Sequence, residues 1–214
     1  MTSSGESSVD HLMSFPGMRR VPSDRIALFS LRQFLTPVEC AGLIQQIDAG
    51  RRPSTIADAN GDAYFRTSET CDLVSTDPLV IALNAKLDWI SGIDPVHGEP
   101  CQGQRYEIGQ EFKPHTDYFE PEGADFAKYC TTSGQRSWTF MIYLNNVAAG
   151  GGTRFPELGR TFQPEQGALL AWNNRLPDGN GNGNGNPATL HHGMPVRKGA
   201  KYVITRWYRE RPWG

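Results

Sequence analysis

The sequence predicts a mainly β chain of jelly-roll type, with helices in its first half packed on one sheet (an α+β arrangement). Three observations carry this reading. The 214 residues include 23 Gly and 15 Pro, together about 18% of the chain against roughly 12% in ordinary usage. So many backbone punctuators suit short strands and tight turns better than a helical bundle. From Asp94-Pro95 onward, brief segments alternate apolar and polar residues between Gly, Pro and Asn, which is the pattern of a sandwich or barrel. Before that point, two helix-start signals stand apart from the strand pattern.

Residues 1–22 are small and polar and read as a flexible tail. Arg25-Ile26-Ala27-Leu28-Phe29 reads as a short strand. Thr36-Pro37-Val38-Glu39 combines an N-cap, a proline at the first helical position and a capping-box glutamate. The helix it starts is predicted to reach Ala49 and to bury Val38, Ala41, Leu43, Ile44 and Ile47. Tyr64 to Ser68 looks like a strand, and Asp77-Pro78 starts a second helix running to Trp89 or Ile90. Strand-like segments then follow at 103–109, 112–118, 136–145, 160–163, 167–172, 189–192 and 201–208. The tract Asp178 to Asn186 alternates Gly and Asn, cannot pack, and reads as a flexible connector. The expected organisation is a tail over 1–22 and one domain over 23–214, with helical support at 23–95 and a β core at 96–210.

Charge and composition narrow the function classes. Lys and Arg number 21 against 23 Asp and Glu, and this near-balance argues against nucleic acid as the main partner. No run reaches the roughly 18 apolar residues of a membrane span, and the first 20 residues lack a signal-peptide core. A cytoplasmic protein is therefore expected. Cys40, Cys71, Cys101 and Cys130 are widely spread with no CxxC pair, which reads as reduced structural thiols.

The chemistry concentrates around histidine. In a strand, side chains at i and i+2 share a face, so His115 and Asp117 can offer one imidazole nitrogen and one carboxylate oxygen to a single ion. His191 or His192 could complete two histidines and a carboxylate, the facial triad of non-haem Fe(II) oxygenases. Downstream, Lys201, Val203, Thr205 and Trp207 share a strand face. A buried cation beside an open metal site is what a dicarboxylate cosubstrate needs, because a buried carboxylate must be met by charge and hydrogen bonds. Thr139, Met141 and Tyr143 form one strand face and Trp138, Phe140, Ile142 and Leu144 the other, so Tyr143 can supply a hydroxyl.

Five stretches carry a resemblance to a known family. Arg105 to Phe119 (RYEIGQEFKPHTDYF) is similar to YxxGQxYxxHxDY, and Arg136 to Asn145 to RxxTxxxYLN. Gly150 to Pro156 looks like GGETxFP, Gly167 to Asn173 like the strand before a distal ligand, and Leu190 to Lys201 like LHxGxPVxxGxK, followed by a TxW ending at Trp207. In order and spacing the second half resembles the 2-oxoglutarate- and Fe(II)-dependent dioxygenases, within them the prolyl 4-hydroxylase-like branch. Arg66-Thr67-Ser68 fits more loosely.

The resemblance implies a double-stranded β-helix (cupin-like) core and hydroxylation of an unactivated C–H bond, first of all C4 of prolyl residues in a peptide or protein, with release of succinate and CO2. It implies His115, Asp117 and His191 as catalytic iron ligands, with His191 ahead of His192 because it holds the position before xGxPV. Lys201, Tyr143 and Tyr106 would hold 2-oxoglutarate, and Arg136 and Trp207 would line the substrate site, although strand parity sets Arg136 opposite Tyr143 unless the strand bends. Fe(II), 2-oxoglutarate, O2 and ascorbate as reductant are the implied cofactors. A proline-containing peptide or protein is the implied partner, with neither nucleic acid nor membrane. Phe112 stands where relatives often carry Tyr, and Gly152 where they carry the Glu of GGET. Other readings are the same chemistry on another residue or a free small molecule, a zinc hydrolase, and a silent peptide-binding barrel. The acidic cluster Glu120, Glu122 and Asp125 reads as a solvated loop.

Overall fold

A computed structural model describes residues 4–54, 65–176 and 185–214. The elements are α1 (Ser4–Met13), β1 (Arg19–Arg20), β2 (Leu28–Leu31), α2 (Pro37–Gly50), β3 (Arg52–Pro53), β4 (Glu69–Asp72), α3 (Pro78–Ser91), β5 (Gln102–Tyr106), β6 (Phe112–His115), α4 (Ala124–Cys130), β7 (Arg136–Tyr143), β8 (Ala149–Gly150), β9 (Thr153–Phe155), β10 (Arg160–Phe162), β11 (Leu169–Asn173), β12 (His191–Gly193), β13 (Val196–Lys198) and β14 (Lys201–Arg209).

An eight-stranded sheet in the order β1-β2-β11-β7-β14-β5-β4-β3 faces a four-stranded sheet in the order β10-β9-β12-β6. The alternation read in β7 decides what each face of the large sheet touches. Trp138, Phe140, Ile142 and Leu144 pack with Leu43 and Ile47 of α2 and with Val80, Leu83 and Leu87 of α3. Met141 and Tyr143 pack on the other side with Tyr106, Phe155, Trp172 and Val203. The large sheet is thus sandwiched between helices and the small sheet, the jelly-roll architecture that the residue pattern predicts, with the helices on one sheet.

Local chemistry fixes the helices. The Thr36 side chain accepts from the Glu39 amide and Glu39 answers on the Thr36 amide, a complete capping box. Asp77 caps α3, and Gly92 at φ 63° closes it in the left-handed conformation.

Several expectations need correction. Residues 1–22 are not all tail: 4–13 form a helix whose Leu12 is fully buried in the outer core, and β1 pairs with β2. Val38 is 82% exposed and Ala41 is exposed as well; Cys40 is buried in α2 instead, because α2 presents 40, 43 and 47 to the sheet. The first inner strand starts at Leu28 rather than Arg25. Tyr64 lies outside the described residues; residues 65–68 form no strand, only an Arg66–Phe112 bridge, and the strand is β4. The division at residue 95 does not follow the sheets either, since β1 to β4 extend the large sheet from the first 72 residues. The strand pattern also missed α4. Of the Gly/Asn tract, 177–184 lie outside the described residues. All four cysteines are buried free thiols, and no described helix is long and apolar enough to cross a membrane.

Candidate metal centre

Two distant segments meet by strand pairing. β12 runs antiparallel to β6, and His191 is the direct cross-strand partner of His115. The two rings lie 4.2 Å apart, centroid to centroid. Asp117, just past the end of β6, completes the group: one donor atom from each of His115, Asp117 and His191 lies within 4.8 Å of the others. The Nε2 atoms of His115 and His191 stand 4.0 and 3.9 Å from the two Asp117 oxygens.

Backbone carbonyls set the imidazole tautomers. His115 Nδ1 is 2.7 Å from the Lys113 carbonyl and His191 Nδ1 is 2.9 Å from the Thr189 carbonyl. A carbonyl can only accept, so each Nδ1 carries a hydrogen and Nε2 is the ring nitrogen left to face the centre. Burial, and then the neighbouring His191, holds the His115 imidazole well below its ordinary range and so neutral. Burial pulls the Asp117 carboxyl up, but His191, His115, Arg136 and Thr139 together outweigh it, so the group is ionised. Two imidazoles and one carboxylate on one side of a cavity form a donor set that fits a divalent first-row metal with open positions.

His192 points away, its Nε2 2.8 Å from Glu111 Oε2. Phe112 stacks on His115 with centroids 3.5 Å apart and planes 16° apart, so the ring that replaces the usual Tyr buttresses a candidate ligand. At Gly152 an added Cβ would lie 2.9 Å from Thr161 Cγ2, which leaves little room here for the glutamate of the family pattern.

A small cavity opens on the donors and is also lined by Lys201, Tyr106, Thr153, Arg66 and Trp207. Lys201 is 2% exposed. Its ammonium faces the rings of Tyr106 and Tyr143 at 5.2 and 5.6 Å and meets no carboxylate among the described residues. Burial alone brings it down to about 7. Such a cation calls for an anion, and a dicarboxylate fits. The other cosubstrate residues differ in detail from expectation. Tyr143 donates to Thr153 Oγ1 at 2.7 Å, and it is Thr153, not Tyr143, that lines the cavity. Tyr106 donates to Gln104 Oε1 at 3.2 Å.

Arg136 reaches the same side by a change of register. Tyr208 pairs with Trp138 but Arg209 pairs with Arg136, a bulge that uses Ser137 as the extra residue and reverses the parity. The guanidinium then sits 3.8 Å from the Trp207 ring centroid, held by Glu99 at 2.7 and 2.9 Å. Sequence reasoning did not pick out Glu99, Thr153 or Thr139, which donates to Asp117 at 2.7 Å. For Thr139 a signal existed, since it shares the Tyr143 face. Arg66, noted only loosely, bonds to Ser68, Thr70 and Gln102 and lies 4.9 Å above Phe112.

A family model described as the 2OG-Fe(II) oxygenase superfamily matches residues 101–209. Prolyl 4-hydroxylase subunit alpha-1 of Gallus gallus is 33% identical over 150 residues, 70% of this chain and 28% of that protein; the chain therefore spans little more than a quarter of such curated relatives. Among solved structures, a viral collagen prolyl hydroxylase from Paramecium Bursaria Chlorella virus-1, in complex with 2OG, superposes with a TM-score of 0.66 at 24% identity, covering 85% of this chain and 95% of that one. A Pseudomonas putida prolyl-4-hydroxylase gives 0.59 at 17% identity over 96% and 98%. At these identities the two structures speak to the fold.

Proposed function

The chain belongs to the 2OG-Fe(II) oxygenase superfamily, and from that membership we propose that it hydroxylates prolyl residues of a peptide or protein, at C4, with release of succinate and CO2. One observation carries the proposal: a two-histidine, one-carboxylate donor set and a buried lysine without an anionic partner among the described residues share one cavity. His115, Asp117 and His191 hold Fe(II). Lys201 binds the distal carboxylate of 2-oxoglutarate, with hydrogen bonds from Thr153, backed by Tyr143, and from Tyr106 once its hydroxyl turns from Gln104 to the carboxylate. When bound, iron and 2-oxoglutarate supply the oxidising power, decarboxylation of the keto acid activating O2 for insertion into an unactivated C–H bond.

The chain's own residues orient and enclose. The Nδ1–H donations to backbone carbonyls keep both imidazoles aimed at the centre. Phe112, Phe155 and Trp172 pack against the histidine rings and exclude water from them. Trp207, whose buried indole N–H lacks a partner among the described residues, offers a donor to a substrate carbonyl, with Arg136 stacked behind it. Ascorbate as reductant and a cytoplasmic location belong to the same proposal.

Incubation of proline-containing peptides with protein, Fe(II), 2-oxoglutarate and ascorbate tests it by mass spectrometry. A product heavier by one oxygen, localised to proline, is expected. Succinate formation without any modified proline across a broad library would move the substrate to another residue or a small molecule; absence of 2-oxoglutarate turnover would overturn the reading.

A further inference from the structure

The hydrogen bond from Thr139 to Asp117 is the end of a longer buried polar chain that begins at Asn174. Asn174, fully buried, donates from Nδ2 to Thr139 Oγ1 at 2.8 Å, and Thr139, also fully buried, donates to Asp117 Oδ2 at 2.7 Å. The chemistry fixes the direction. An ionised carboxylate has no proton to give, so the single hydroxyl proton of Thr139 must go to Asp117. Its oxygen is then free to accept the Asn174 amide.

A second branch leaves the same residue. The Asn174 carbonyl accepts the Asn186 amide at 2.8 Å, and the Asn186 carbonyl accepts the Thr189 amide and hydroxyl at 2.9 and 2.7 Å. The Thr189 carbonyl in turn accepts His191 Nδ1–H at 2.9 Å. Asn174 is itself tied to β7 through the Ser137 carbonyl. Asn174 thus stands at the fork of two hydrogen-bonded chains that end on two of the three donors, from different strands.

We propose that Thr139 and Asn174 are positioning residues of the metal centre: Thr139, presented by Asn174, occupies Oδ2 of Asp117 and leaves Oδ1 as the oxygen for the metal, while the Asn186–Thr189 branch fixes His191 relative to it. The inference rests on the reading of His115, Asp117 and His191 as ligands. Outer partners of this kind change metal affinity by about 10- to 100-fold when removed.

The test uses Co(II) alone as probe, titrated into the metal-free protein and followed by its d–d absorption, so it needs no turnover. Thr139→Val keeps the branched shape in the strand and loses the hydroxyl. It is expected to weaken Co(II) binding by about 10- to 100-fold and to shift the d–d bands, and Thr139→Ser to restore affinity to within about threefold. Should Thr139→Val not be recovered folded, Thr139→Ala, which makes no extra packing demand, carries the same expectation. A folded variant lacking the hydroxyl that binds Co(II) like wild type, with unchanged bands, would overturn the positioning role and leave the ligand assignment standing. Wild-type protein that binds no Co(II) would overturn the ligand assignment and this inference with it.

Discussion

Replacement of Lys201 by methionine should strengthen the metal-free fold while disabling the cavity. The buried ammonium sits at about 7 against an ordinary 10.5 because of burial alone. At pH 7 the unfolded chain carries this proton fully and the folded chain about half the time. One pKa unit is worth about 1.36 kcal/mol, so keeping the amine costs the fold on the order of 4 kcal/mol at pH 7. Between pH 7 and 10.5 the unfolded state binds more protons than the folded one, so wild-type stability rises with pH through that window. Methionine fills similar space and does not titrate. In urea melts of the metal-free protein, Lys201→Met is expected to be more stable than wild type by a few kcal/mol at pH 7, with the gap narrowing to about 1 kcal/mol near pH 9.5. The same variant should bind 2-oxoglutarate at least about 30-fold more weakly, since truncating one member of a buried charged pair costs about 2–5 kcal/mol. A variant less stable than wild type at pH 7, or a gap that does not narrow with pH, would refute the reasoning from burial.

Other perturbations follow from the same contacts. Asp117→Ala and His191→Ala should bring Fe(II)-dependent succinate formation to background with the circular dichroism unchanged; undiminished succinate would remove both residues from the centre. Glu99→Gln removes the carboxylate that bridges Arg136 and Arg209, each at 2.7 Å, and is expected to cost about 3 kcal/mol in a urea melt, a loss under 0.5 kcal/mol counting against the pairing. Gly103→Ala sets a Cβ 2.4 Å from Ile47 Cγ1, an overpacking between β5 and α2 expected to cost about 1–3 kcal/mol, measurable as a lowered Tm.

How much of this could be read in advance depended on whether the signal was local. The Thr36 capping box is written within four residues, and it formed as read. The two faces of β7 are a period-two pattern, and they separate the two cores as read. By contrast, α1 has a polar sequence and is held by Leu12 in a core built from distant elements, so no local pattern announces it. Arg136 was ambiguous because its side depends on a bulge set jointly by β7 and β14. Strands of two or three residues, such as β3 and β8, are too short to show a period. For the site, HxD and the shared face of Lys201 and Trp207 were visible in spacing. The choice of His191 over His192 came from the motif, and no local rule marked Glu99, Asn174 or Thr153.

The cross-strand pairing of His191 with His115 has a consequence for biosynthesis. The donors are separated by 76 positions in the chain yet are ladder neighbours, and the cavity wall carrying Lys201 and Trp207 is the last strand, β14. A growing polypeptide therefore offers no complete binding site until nearly all of residues 1–209 has left the ribosome. His115, Asp117 and His191 come together only through the pairing of β12 with β6, so the full donor set is a product of sheet formation and not of any local segment.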